Sequence, residues 1–388
     1  MFPLFALACA PERPPPLDAP AAAAPLWEWD PGGGRIVHAS PSRIDVDLDG
    51  FDDILVERAG NELVIWHGAA DATGSWVETT SLPLGAEAIG DVDGDGVGDL
   101  ARPYRGSDGA PPGADFYRGT GVGFEPLPTL APSLDPAFVN AGVVPVGDTD
   151  GDGREDILVV GSPDTFNDYA NWDVEAWAYR YTDAGWVPGA HWSQPAAGWW
   201  GFTAAGDVNG DGYADLLAAL AGEVRVYPGG PDGLGNTTIV SWSTEVQAMA
   251  AAGDVNGDGY ADLLIEPWAE PTRDGVVELH LGGPAGPSEE PDLVLDALVG
   301  ATNSLGAFSW PADHDGDGWA DIVLSTYALP DSPDGGIFLY RGGAEGPAAD
   351  PDTSWIVEGG LHRSVMVGDV NGDGRDDRLV NDTVWLGG

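Results

Sequence analysis

Seven stretches of this sequence repeat one arrangement of oxygen-bearing residues: Asp at the first position, Asp or Asn at the third, Asp at the fifth, Gly at the sixth and Asp at the ninth. A hard divalent cation such as calcium takes six to eight oxygens at about 2.3–2.6 Å, and alternate side chains at positions 1, 3 and 5 can converge on one such ion. Glycine at position 6 lets the chain turn with positive φ, so that the carbonyl of residue 7 and the carboxylate of residue 9 swing back toward the same point. The candidate ligands in chain order are Asp45, Asp47, Asp49, Phe51 and Asp53, then Asp91, Asp93, Asp95, Val97 and Asp99, then Asp148, Asp150, Asp152, Arg154 and Asp156. They continue with Asp207, Asn209, Asp211, Tyr213 and Asp215, and with Asp254, Asn256, Asp258, Tyr260 and Asp262. The last two sets are Asp313, Asp315, Asp317, Trp319 and Asp321, and Asp369, Asn371, Asp373, Arg375 and Asp377. Position 7 enters each set through its carbonyl, whatever its side chain.

Stretches rich in Asp and Gly also serve as strand-capping turns that hold no metal. Seven copies in one acid register favour the metal, because bare groups of three or four carboxylates repel at short range and a cation neutralises them. Up to seven Ca2+ ions are expected. The first copy differs in carrying Leu48 where the others have Gly, and Asn at 209, 256 and 371 lowers the charge of three copies. The closing acid comes at position 9 rather than 12 and the flanks read as strands, which separates these loops from the helix-flanked EF-hand.

The first acids, at 45, 91, 148, 207, 254, 313 and 369, are 46, 57, 59, 47, 59 and 56 residues apart. Such a period is that of a four-stranded propeller blade with variable loops. Small residues precede the acids, as in Thr203-Ala204-Ala205-Gly206 and Met366-Val367-Gly368, and apolar runs follow, as in Ile157 to Val160 and Leu263-Leu264-Ile265. These read as an innermost and a second strand on either side of the loop. Aromatic outer strands are expected around Trp76, Trp192, Trp242 and Trp355, with the indoles in the core between blades rather than serving as sugar platforms. The expected fold is all-β: a seven-bladed β-propeller over 26–388 with a calcium loop between the first and second strand of each blade.

Together with their flanking strands, the loops resemble the FG-GAP repeat of integrin α-subunits and the related VCBS repeats of bacterial secreted and surface proteins. Trp200-Gly201 and Leu305-Gly306 stand where the family carries Phe-Gly, and VRVYPGGPDGL at 224–234, VELHLGGPAGP at 277–287 and FLYRGGAEGP at 338–347 resemble its strand and Gly-Pro turn. The resemblance implies the propeller and leaves the ligand open, since one fold hosts many functions.

The balance of 64 Asp and Glu against 15 basic residues, all Arg, gives a formal charge of −49, which excludes a protein that holds nucleic acid by neutralising phosphates. Residues 1–10, MFPLFALACA, read as an export or lipoprotein signal remnant, with Cys9 as the lipidation candidate, and 11–25 as a Pro/Ala-rich linker. Two features depart from a lipoprotein signal: no basic residue precedes the apolar run, and the run is short. Secretion or lipid anchoring at the cell surface is expected, with membrane attachment only through Cys9, and the molecule is expected to be a monomer.

No zinc motif, phosphate loop, nucleophile elbow or Schiff-base lysine is present. Two function classes remain: a non-catalytic binding or adhesion module for a glycan or protein, and a calcium-dependent carbohydrate-active enzyme such as a polysaccharide lyase. The repeats consume the chain and leave no separate catalytic domain, which favours the module. Recognition is expected on the face opposite the metal loops. There four long connections, Arg102 to Pro112, Gly161 to Asp173, Glu266 to Gly275 and Ser325 to Gly336, carry Tyr104, Arg105, Phe166, Tyr169, Trp172, Trp268, Arg273 and Tyr327. Extra loop length is thermodynamically cheap, so these connections are equally read as idle insertions. Finally, Leu26-Trp27-Glu28-Trp29 matches an aromatic outer strand and is expected to pair with the last strand of the chain.

Overall fold

The computed structural model describes residues 27–28, 36–39, 44–58, 62–70, 75–78, 85–106, 111–130, 134, 138, 140–162, 173–194, 201–268, 275–295, 311–326, 329, 332–359, 364–381 and 383–388. Every regular element among them is a strand, and the strands form antiparallel up-and-down sheets in chain order. The first sheet is Ile36–Ala39, Ile54–Arg58, Glu62–His67 and Ser75–Glu78; the second is Glu87–Gly90, Asp99–Tyr104, Gly113–Gly119 and Phe124–Pro126. The third is Asn140–Gly147, Asp156–Ser162, Val174–Thr182 and Gly185–Gln194; the fourth is Gly201–Gly206, Asp215–Leu220, Glu223–Tyr227 and Val240–Ser243. The fifth is Val246–Gly253, Asp262–Pro267, Val277–His280 and Leu293–Leu295.

Two sheets differ. Among the described residues, Ile322–Thr326, Gly335–Tyr340 and Thr353–Val357 form a three-stranded sheet, with a bridge between Ala312 and Asp321 ahead of it. The last sheet joins both ends of the chain: Ser364–Gly368, Asp377–Val380 and Thr383–Trp385 are completed by Trp27–Glu28, with Trp27 opposite Val384 and Glu28 opposite Thr383. Trp27–Glu28, the described part of the outer strand expected from Leu26 to Trp29, therefore pairs as expected and covers the edge of the C-terminal strand.

The expectation of seven four-stranded blades is corrected by this pairing. Six blades are complete four-stranded sheets, and the segment around the sixth acidic loop is the three-stranded sheet. Residues 296–310, where the inner strand ahead of the sixth loop is expected, lie outside the described residues. Residues 1–10 and 11–25, with Cys9, lie outside the described residues.

The second strands are buried along almost their whole length, as in Asp156–Ser162, Asp215–Leu220 and Asp262–Pro267, because each is covered on both faces by neighbouring blades. That double cover explains their unbroken apolar runs. The core lies between blades: Val146, Leu158 and Val160 of the third pack with Phe202, Leu216 and Ala218 of the fourth, and Ile54 and Val56 of the first pack with Val367 and Leu379 of the last. Trp192 and Trp242 are buried in these cores and Trp355 is partly buried, as expected of structural indoles.

Candidate metal centres

Each acidic loop is tied by its own carboxylates. In the third loop Asp148 Oδ1 accepts from the N–H groups of Gly151 and Asp152 at 2.7 and 3.1 Å, and Oδ2 accepts from Gly153 at 2.8 Å. Asp91, Asp207, Asp313 and Asp369 do the same at their own first positions. The fifth residue makes an Asx turn to the seventh, as in Arg154 N–H to Asp152 Oδ1 at 3.0 Å. The ninth is a staple: Asp215 Oδ2 accepts from Val208 N–H at 3.1 Å and Oδ1 from Gly229 N–H at 2.9 Å, joining the base of the loop to the next hairpin.

These closing carboxylates are buried, and burial decides their ionisation. Desolvation pushes Asp99, Asp156, Asp215, Asp262 and Asp377 up to about 7 and Asp321 up to about 6, against the opposing pull of the N–H groups they accept from. Asp53 is raised for the same reason.

The side chains at position 7 have a second part. Tyr213 lies over Gly151, Tyr260 over Gly210, Trp319 over Gly257, Arg375 over Gly316, Phe51 over Gly372 and Arg154 over Gly94, each capping position 4 of the preceding loop. Those six glycines have φ between 71° and 77°. At the one position where a side chain replaces Gly, Leu48 adopts φ 61°, and the next loop carries the small Val97 at position 7. Loop-to-loop contact therefore runs through the same residues proposed to offer carbonyl oxygens. Backbone bonds reinforce it, with the N–H of Ala214, Ala261 and Ala320 donating to the carbonyls of Asp148, Asp207 and Asp254.

Five groups of acids, one group including a histidine, bring a ligand atom from each member within 4.8 Å of the others among the described residues: Asp45/Asp47/Asp49, Asp47/Asp53/His67, Asp91/Asp93/Asp99, Asp148/Asp150/Asp156 and Asp313/Asp315/Asp321. All are compatible with a divalent metal ion. They occupy four loops, not seven, so the expectation of one uniform calcium pattern is corrected. Where position 3 is Asn, at 209, 256 and 371, no group of three acids forms among the described residues, and the amide instead donates to the position-5 Asp at 3.0, 3.0 and 3.2 Å. Position 5 also drops out of the clusters in the second, third and sixth loops, where Asp95, Asp152 and Asp317 are held in their Asx turns.

The donor set fits a cation on one further ground. Two buried oxygens without a hydrogen-bond partner fall inside these clusters: Asp156 Oδ1 and Asp315 Oδ1. Asp156 is 3% exposed, and its Oδ2 takes the N–H and hydroxyl of Thr149. No glycine follows Arg180 to satisfy Oδ1 as Gly229 does for Asp215. His67 escaped the sequence reading because it comes from the hairpin after the loop. The signal that marks it is its place immediately before Gly68, whose N–H donates to Asp53.

The strand bounds confirm where the connections between second and third strands are long: 104 to 113, 162 to 174, 267 to 277 and 326 to 335, against 58 to 62, 220 to 223 and 380 to 383. Of the residues expected on that face, Tyr104 is half-buried, Arg105 is exposed and Trp268 is 61% exposed. Phe166, Tyr169, Trp172, Arg273 and Tyr327 lie outside the described residues. No helix of the described residues is long and apolar enough to cross a membrane.

A family model described as FG-GAP-like repeat matches residues 148–218, 207–265 and 313–380, just under half of the chain. Integrin alpha-IIb of Mus musculus is 31% identical over 209 residues, covering 47% of this chain and 20% of that protein, so the chain spans about a fifth of the length of this curated relative. The solved structures of BBS1N in complex with ARL6DN, soaked with lead and with mercury, superpose with a TM-score of 0.56 at 10% identity, covering 94% of this chain and 97% of that one. The last likeness is one of fold alone; together the three show a β-propeller with weak homology to FG-GAP repeats and the integrin α head.

Proposed function

We propose that this protein is an extracytoplasmic calcium-binding β-propeller that acts as a non-catalytic binding or adhesion module for a glycan or protein ligand. The observation that carries the metal is the coincidence of buried, partnerless oxygens at Asp156 and Asp315 with the acid clusters of their loops. Apart from His67, the clustered donors are carboxylate oxygens, which suit calcium better than a softer ion that would draw on thiolate or imidazole. In this reading the ion neutralises each loop that gathers a cluster and locks its position-7 cap against its neighbour, while the long connections at the other end of the blades meet the ligand. Trp268 offers an exposed aromatic surface there. Export fits the calcium supply outside the cytoplasm and the strongly acidic surface.

The test is a glycan array and a cell-surface binding screen, run in calcium and in chelator, with product analysis of every retained glycan. Retention without turnover, weakened by Trp268→Ala at unchanged melting temperature, supports the module. New unsaturated or reducing ends on the retained glycan would replace it with the lyase reading.

A further inference from the structure

The hairpin residue just before the glycine that binds the closing Asp, or before Tyr181 in the third loop, changes type with position 3 of its loop. Where position 3 is Asp, that residue is basic: His67, Arg118, Arg180 and Arg341 for Asp47, Asp93, Asp150 and Asp315. Where position 3 is Asn, it is apolar: Pro228, Leu281 and Leu386 for Asn209, Asn256 and Asn371. Contacts follow the types. Arg180 Nη1 lies 2.8 Å from Asp150 Oδ2, Arg341 Nη1 3.1 Å from Asp315 Oδ2, Arg118 Nη1 3.8 Å from Asp93 Oδ2, and His67 Nδ1 3.2 Å from Asp47 Oδ2. In six of the seven loops the hairpin is anchored the same way, because Gly68, Gly119, Gly229, Gly282, Gly342 and Gly387 donate to their closing Asp; in the third loop Tyr181 stands at that place.

We infer that this hairpin position sets the charge of the metal loop, with Arg acting as a built-in counter-ion that brings an Asp loop to the charge of an Asn loop. Four carboxylates with one guanidinium leave three negative charges; three carboxylates with one Asn leave three as well. The guanidinium faces Oδ2 of the position-3 Asp and cannot itself ligate a metal, so it tempers the field at the site without filling it. Ordinary surface ion pairs contribute little, but they do not sort by the partner's charge at every copy. Arg118, Arg180 and Arg341 are thus affinity-setting residues rather than ligands. The inference deepens the calcium reading and rests on it for its effect on affinity, while its effect on the metal-free fold stands without it.

Three proteins test it: the wild type, R118Q/R180Q/R341Q, and the same triple carrying D93N/D150N/D315N. Melting in chelator reads the charge rule without any metal. The triple is expected to melt below the wild type and the added Asn substitutions to restore the wild-type temperature. Equilibrium dialysis against calcium reads affinity, where the triple is expected to bind about two- to fivefold more tightly at the altered sites and the compensated variant to return to wild type. Equal melting of all three in chelator, or a triple that the Asn substitutions do not rescue, overturns the inference. A wild type that takes up no calcium sinks the calcium reading alone, and the chelator melts still decide the charge rule. Should the triple fail to fold, R180Q and D150N/R180Q carry the same comparison at a single loop.

Discussion

The Asp52 carboxylate accepts a hydrogen bond from the Asp369 N–H at 2.8 Å, and Asp52 donates its own N–H to the Asp369 carbonyl at 3.1 Å, across 317 residues of chain. The same exchange joins Asp313 and Asp376, whose N–H to carbonyl and N–H to carboxylate distances are 2.9 and 2.8 Å. Gly368, at φ 78°, leaves the space that Asp52 fills. The first loop therefore closes on the last by the device that links neighbouring loops elsewhere.

Asp52→Ala leaves the Asp369 N–H without its acceptor and should cost about 1–3 kcal/mol. Asp52→Asn keeps an acceptor oxygen and should cost less. Chemical denaturation of both variants checks the order; equal stabilities would show that the carboxylate bond does not contribute to closure.

Leu48 is 56% exposed and holds a left-handed conformation at φ 61°. Relief of about 1–2 kcal/mol of backbone strain outweighs the extra unfolded-state entropy of glycine, about 0.5–1 kcal/mol, so Leu48→Gly should stabilise modestly. The reverse change, Gly257→Ala, meets the Trp319 indole as well as an unfavourable φ of 71° and should destabilise by about 1–3 kcal/mol. Thermal melts of the pair should move in opposite directions, and a shared direction would contradict the stacking of loop on loop.

Acidity should matter most without metal. The closing acids have folded-state values raised from 3.8 to about 7 at Asp99, Asp156, Asp215, Asp262 and Asp377. Between those values the folded chain binds more protons than the unfolded one, so stability falls as pH rises through the window. In chelator the protein should melt higher near pH 5.5 than near pH 8, and calcium should flatten or reverse that slope. A chelated melting temperature that rises toward pH 8 would contradict the burial argument.

Much of this was legible in the sequence because the loop chemistry is local: Asp91 with Gly94, Asp95 and Gly96 needs only nearest neighbours, and the register of seven copies exposes it. Pairing of Trp27 with Val384 was legible too, since an outer strand was missing at one end and spare at the other. What escaped depends on groups brought from elsewhere. His67 reaches Asp47 from a hairpin, and the part of Trp319 at Gly257 depends on the next loop's position in the ring. Uniform sites were expected because the ligand positions look alike; the Asn amide of Asn256, donating to Asp258, shows that one atom changes what the loop assembles.

Calcium uptake with its effect on melting is the most direct measurement. The protein, stripped with chelator and dialysed against graded calcium, should bind several ions per chain, and its melting temperature should rise with free calcium. Each native-only site should add about 1.4 kcal/mol at tenfold over its Kd. Asp93→Asn with Asp150→Asn and Asp315→Asn should alter that uptake while the strands persist by circular dichroism. Equal melting temperatures in calcium and chelator, with no calcium retained above the dialysis buffer, would contradict the account.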